Sequence, residues 1–166
     1  MRYLREADWN DAELLFHWVN ESSVRKNSFS SEEISLEEHL KWFEHALSQN
    51  DIKQYIYMDG EEPVGQIRII INGSAAEINY SICLEKRCMG YGKEMIVMLK
   101  ERVKTDFPEV KKMTANVKPD NAASQKVFLD AGYIHKSNTY ELDIDTSSSQ
   151  NEHIKICKGG GIVCNK

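Results

Sequence analysis

Apolar positions along the chain switch from a helical to an alternating period, placing helices first and a sheet after them. A short strand near residues 3–5 precedes Asp8, an N-cap for a helix whose Leu14, Leu15, Trp18 and Val19 form one stripe. Residues 20–31 are polar and read as a connector. Ser35-Leu36-Glu37-Glu38 has capping-box spacing and predicts a second helix to about Ser48, with Leu40, Phe43 and Leu47 facing inward.

Residues 54–58 and 64–71 alternate about Asp59-Gly60 as a hairpin, and Asn72-Gly73 turns the chain into a third strand over 75–84. Met95, Ile96, Met98, Leu99 and Val103 recur at helical spacing. Pro108 interrupts before a strand at 112–117, and a helix over 121–131 opens at Asp120 and Asn121 and closes at Gly132. It leads into a strand over 133–144. After a serine-rich loop at 147–150, residues 153–157 alternate as a last strand, and Lys158 to Gly161 begin a flexible tail.

The 166 residues suit one domain with a single sizeable core, expected over 1–157 with a tail at 158–166. With 21 basic against 26 acidic residues, a net charge of −5 and no basic run, neither nucleic acid nor an anionic membrane is an expected partner. The N-terminus lacks a signal-peptide core and no window is apolar enough to span a membrane, so a cytoplasmic location is expected. Cys83, Cys88, Cys157 and Cys164 form no Cys-x-x-Cys and no zinc-finger spacing with histidine; they read as reduced thiols, and no metal is implied.

Between the strand at 75–84 and the next helix lies Arg87-Cys88-Met89-Gly90-Tyr91-Gly92-Lys93. Glycines there let backbone N–H groups approach a ligand, and the following helix directs the positive end of its dipole to the same point, which suits an anion such as a diphosphate. A strand-to-helix turn with no ligand has the same signature. About thirty residues on stands Asn121-x-x-Ser124-x-x-x-Phe128-x-x-x-Gly132-Tyr133. Together the two segments resemble the GNAT (Gcn5-related) acyl-CoA N-acetyltransferases. The order of elements agrees over about residues 2–157.

This resemblance implies an α+β fold: a mixed, mostly antiparallel seven-stranded sheet with about four helices and a splayed central strand pair, here 75–84 and 112–117. It implies acetyl-CoA as cosubstrate, with pantetheine lying in the gap along the backbone of Ile82, Cys83 and Leu84. The amides from Arg87 to Lys93 would take the diphosphate, Asn121 the pantetheine end, and Phe128 would pack beside the thioester. Many relatives carry a Glu base and a Tyr acid where this chain has Asn116 and Phe128, neither able to transfer a proton.

Ser124 is the remaining donor to the departing sulfur, or else a hydroxyl bonded within its own helical turn. Glu77 acting through water is the candidate base and Glu141 the second choice; a solvated strand carboxylate is the alternative for each. Asn79 and Asn116 could line the cleft, with Tyr80 alternating toward the core.

Acceptor choice in this fold falls to the first helices and their connector. Trp18-x-Asn20, Val24-Arg25, Ser28-Phe29 and Glu38-His39-x-x-Trp42-Phe43 resemble the acetyltransferases of UDP-linked 4-amino-4,6-dideoxy sugars in pseudaminic-acid synthesis. On that resemblance Arg25 would face a substrate phosphate and Trp18 or Phe29 a sugar or uracil face, with His39 and Asn116 nearby. Trp18 and Trp42 as core residues and His39 as a helix-surface residue are the plainer readings. The expected partner is thus a small-molecule amine, and a homodimer is compatible with the chain. Peptide N-termini, polyamines and antibiotics are alternative acceptors, and a catalytically silent CoA-binding module is the alternative to an enzyme.

Overall fold

The computed structural model describes residues 1–137 and 139–144. In chain order β1 (Arg2–Glu6) leads through a 3-10 turn at Trp9–Asp11 to α1 (Ala12–Val19), α2 (Ser22–Asn27) and α3 (Leu36–Ser48). The meander β2 (Ile52–Asp59), β3 (Glu62–Asn72) and β4 (Ala75–Ile82) follows, then α4 (Tyr91–Asp106), β5 (Lys112–Asn116), α5 (Ala122–Asp130), β6 (Ile134–Lys136) and β7 (Thr139–Asp143). These strands form one seven-stranded sheet in the order β1-β2-β3-β4-β5-β7-β6, in which β4 and β5 run parallel and the other neighbouring pairs antiparallel.

Local sequence sets the helix starts. Ser35 Oγ accepts from the Glu38 amide while the Glu38 carboxylate accepts from the Ser35 amide, closing a reciprocal cap. Asp8 and Asp11 cap the 3-10 turn in the same way, and Arg5 grips Asp11 through two nitrogens at 2.6 and 2.7 Å.

Each face of the sheet has its own core. On one side Tyr55, Tyr57, Ile67, Ile69, Ala76, Ile78, Met113 and Ala115 pack against Met95, Ile96, Leu99 and Val103 of α4 and Phe128 of α5. On the other Ile56 and Met58 pack against Ala12, Leu15 and Phe43 from α1 and α3. Strand alternation therefore sends Ile78, Tyr80 and Ile82 toward α4 and α5, and Glu77, Asn79 and Ser81 toward α1 and α3.

Several expectations are corrected. The polar stretch 20–31 contains α2, capped by the Glu21 carboxylate on the Ser23 amide rather than by an apolar stripe. The strand expected to reach residue 84 stops at Ile82, because the chain winds into a 3-10 turn at Leu84–Lys86. The strand over 133–144 is a hairpin, β6 and β7, reversed near Ser137 at φ 59°. Leu47 is 40% exposed. The loop at 147–150, the strand at 153–157, the tail at 158–166, Cys157 and Cys164 lie outside the described residues.

Candidate functional site

The sheet opens at its centre. β4 and β5 pair only over Ala75–Glu77 and Lys112–Thr114, and beyond that point no ladder joins Ile78–Ile82 to Ala115 and Asn116. The gap leaves edge backbone groups on β4 available to an extended ligand.

At its mouth lies the loop before α4. Gly90 sits at φ 84°, which glycine adopts freely, and Cys88 at φ 61°, where an L side chain is strained. No side chain caps the first turn of the 16-residue α4, so its leading N–H groups form an anion-binding end, which fits a diphosphate. A Cβ on Gly92 would come within 3.3 Å of Tyr80 Cε2, so this glycine permits close packing of the helix on β4. Tyr91 contributes only backbone here; its ring is buried and its hydroxyl donates to Asp59 at 2.6 Å. Met89 is exposed, and Lys93 lies on the first turn.

Arg87 turns away from the loop. Its Nη2 meets Glu21 at 2.6 Å, Nη1 donates to Ser23 Oγ at 2.5 Å and Nε donates to the Ile82 carbonyl at 3.0 Å. The guanidinium thus ties α2 to the end of β4. Serine hydrogen bonds and the arginine hold the Glu21 carboxyl down to about 2. Ile82 O keeps a second lone pair for the gap, whereas Cys83 N–H donates to Val64 O and Cys83 O accepts from Lys86 N–H, and half-exposed Leu84 lies in the 3-10 turn. Of the three residues expected to pair with pantetheine, Ile82 alone remains on β4.

Across the gap, Asn121 Oδ1 accepts from the Ser124 amide at 3.1 Å and caps α5. Tyr80 Oη donates to Ser124 Oγ at 3.2 Å. Phe128 is buried among Tyr80, Tyr133 and Tyr140, with ring centroids at 5.0 to 5.7 Å. Burial raises the Tyr80 pKa, keeping the phenol protonated. Sequence reading assigned Tyr80 to the core; its opposition to Ser124 emerges only when β4 and α5 are placed together.

On the opposite face, Asn116 Nδ2 donates to Glu77 Oε1 at 3.2 Å and Thr139 Oγ1 donates to Asn116 Oδ1 at 3.2 Å. Glu141 is engaged by Lys136 at 2.7 Å, which depresses its pKa. Of the expected acceptor residues, Phe29 is 73% exposed in the connector after α2 and Trp18 packs partly buried on the core. Arg25 donates to Glu32 O and Ser28 Oγ within its own connector. His39 is buried rather than on the surface, its Nε2 2.9 Å from the Ala12 carbonyl and its ring between Phe16 and Phe43, so it locks α3 to α1.

The sequence pattern of the acetyltransferase (GNAT) domain matches residues 2–134. Solved structures of similar shape include the aminoglycoside acetyltransferase AAC(6')-Ib in complex with coenzyme A, at 18% identity over 86% of this chain and 95% of that one, TM-score 0.76. Spermidine N-acetyltransferase from Vibrio cholerae, in complex with CoA and spermine, matches at 15% identity over 86% and 95%, TM-score 0.79. A domain from Methanocaldococcus jannaschii matches at 22% identity over 86% and 98%, TM-score 0.75. No curated protein matches the chain. The chain belongs to the GNAT acetyltransferase family, and is an acyl-CoA-dependent N-acetyltransferase with acetyl-CoA as cosubstrate.

Proposed function

We propose that the chain acetylates the primary amine of a small molecule, with the 4-amino group of a UDP-linked 4-amino-4,6-dideoxy sugar as the leading acceptor. One observation carries the mechanism: the gap between β4 and β5 has Tyr80 and Ser124 on one side and Glu77 with Asn116 on the other. Acetyl-CoA supplies an activated acyl group along the first side, and the amine approaches from the second.

Attack needs an uncharged amine. A lysine-like amine with pKa about 10.4 bears a deficit of roughly 4 to 5 kcal/mol at pH 7. Glu77 takes the amine proton through water, with Asn116 fixing one carboxylate oxygen. Ser124 donates a hydrogen bond to the sulfur as the C–S bond breaks, and Tyr80, donating to Ser124 Oγ, turns the serine O–H toward the gap. The proton released by the amine balances the departing thiolate. Ile82, the Gly90 to Lys93 amides and Asn121 hold the cosubstrate.

Trp18 and Phe29 form the acceptor's aromatic surroundings. A sugar amine flanked by electronegative groups is less basic than lysine and suits a site with one modest base. The second reading, a polyamine or aminoglycoside acceptor, draws on the named substrates of the similar structures. Thiol release from acetyl-CoA with UDP-4-amino sugar, spermine and kanamycin separates them; turnover on the polycations alone refutes the sugar-nucleotide acceptor.

A further inference from the structure

The sheet face beneath α1 and α3 holds a cation that forms no ion pair among the described residues. Arg68 lies at the centre of β3, opposite Gln54 of β2 and Asn79 of β4, so these three side chains share one row. The row points across the gap toward Asn116, and Glu77 stands in the next row along β4. The Arg68 guanidinium carbon lies 4.7 Å from the centroid of the Trp42 ring, and its Nε is sealed from solvent without a hydrogen bond. Among the described residues no carboxylate forms an ion pair with it.

The glutamines on this face bond to one another and to Ser81. Gln54 donates to Gln66 at 2.5 Å and Gln66 donates to Ser81 at 3.1 Å. Burial lowers the Arg68 pKa and the charge of Glu77 offsets this only partly. A half-buried guanidinium whose Nε has lost water without gaining a hydrogen bond carries a cost, and its forked donors match a carboxylate or phosphate.

Charges near the opening share this bias. Lys118, just after β5, donates to the Lys26 carbonyl at 2.9 Å, and neither lysine pairs with a carboxylate among the described residues. Glu21 is paired with Arg87 and Glu141 with Lys136, while Glu77 accepts from the neutral amide of Asn116 and keeps its charge. An acceptor entering here meets the cations Arg68, Lys26 and Lys118 beside Glu77, whose carboxylate takes the proton of the amine.

We infer that the acceptor carries an anionic group, phosphate or carboxylate, beside its amine, and that Arg68 binds that group. The inference rests on the acetyl-transfer reading and narrows its substrate class. Arg68 is a binding residue here, with Trp42 holding its plane.

The test is calorimetric. UDP, succinate and spermine are each titrated into the protein saturated with acetyl-CoA, for wild type, Arg68→Gln and Asn79→Asp. UDP or succinate should bind saturably, and which of them binds distinguishes phosphate from carboxylate. Arg68→Gln should weaken that binding at least tenfold. Asn79→Asp places a carboxylate beside Arg68 and should do the same with the Trp42 stack intact, so it remains informative if Arg68→Gln does not fold. Spermine should not bind. Absence of saturable anion binding, anion binding unchanged in a folded variant, or spermine binding overturns the inference. Acetyl-CoA is titrated first, and Arg68-dependent anion binding in a protein that fails to bind acetyl-CoA would instead keep this site and refute the transfer reading.

Discussion

Tyr80 on β4 donates a hydrogen bond to Ser124 on the first turn of α5 at 3.2 Å, across the place where the sheet splays. The two residues lie 44 positions apart, and Gly92 lets α4 close over the tyrosine ring. If Tyr80 orients the serine, Tyr80→Phe and Ser124→Ala each lower kcat about tenfold or more while leaving the KM for acetyl-CoA near wild type. Their effects should not add, since both remove one donor. Steady-state kinetics on both single variants and the double variant check this; additive losses refute the pairing.

Glu77→Gln should lower kcat by about a hundredfold, the scale of a lost general base. Glu141→Gln should leave kcat within about twofold, because that carboxylate is tied to Lys136 and Lys112. Kinetics at saturating acceptor compare them, and equal losses would remove Glu77 from its role.

Breaking the strut from α2 to β4 should loosen cosubstrate binding. Glu21→Gln leaves Arg87 without its charged partner, at a stability cost of about 1 kcal/mol for this partly exposed pair. The KM for acetyl-CoA should rise severalfold. The Glu21 carboxyl titrates at about 2, below its ordinary range, so its stabilisation is present above the ordinary carboxylate pKa and lost as pH falls through about 2. The wild-type strut should therefore be insensitive to pH near neutrality, measured by denaturant midpoints.

Burial lowers the His39 pKa, so the unfolded chain binds the extra proton first. Stability from this residue is complete above its ordinary pKa of about 6.5 and is lost as pH falls through the lower folded value. Wild-type denaturant midpoints should drop on acidification below that range, and His39→Gln should flatten this part of the profile. An unchanged profile would mean His39 does not titrate on unfolding.

The sequence announces what is periodic or locally capped. The Ser35/Glu38 box, the meander around Asp59-Gly60 and Asn72-Gly73, and the α5 cap at Asn121 all appear where local patterns place them. α2 escaped because it is six residues long with no buried residue, held by Glu21 and Arg87 from outside its own segment. At the site, Gly90 and Gly92 are legible because backbone approach demands small residues, whereas the Tyr80–Ser124 contact depends on packing between distant elements. Arg68 had a faint signal, a charge alternating with Ile67 and Ile69 in an apolar strand, but its cover by Trp42 and its unbonded Nε emerge only when α3 is laid on β3. Arg25, the expected phosphate ligand, donates to Glu32 O and Ser28 Oγ, contacts that its sequence neighbours alone do not announce.

The most direct measurement is acceptor-dependent release of CoA thiol from acetyl-CoA, with product mass, across UDP-4-amino sugars, amino-acid carboxylates, spermine and kanamycin. The account predicts turnover with N-acetyl product on an amine that carries an anionic group, and none on the polycations. Turnover confined to spermine or kanamycin, or acetyl-CoA binding with no acceptor-dependent thiol release, would contradict it.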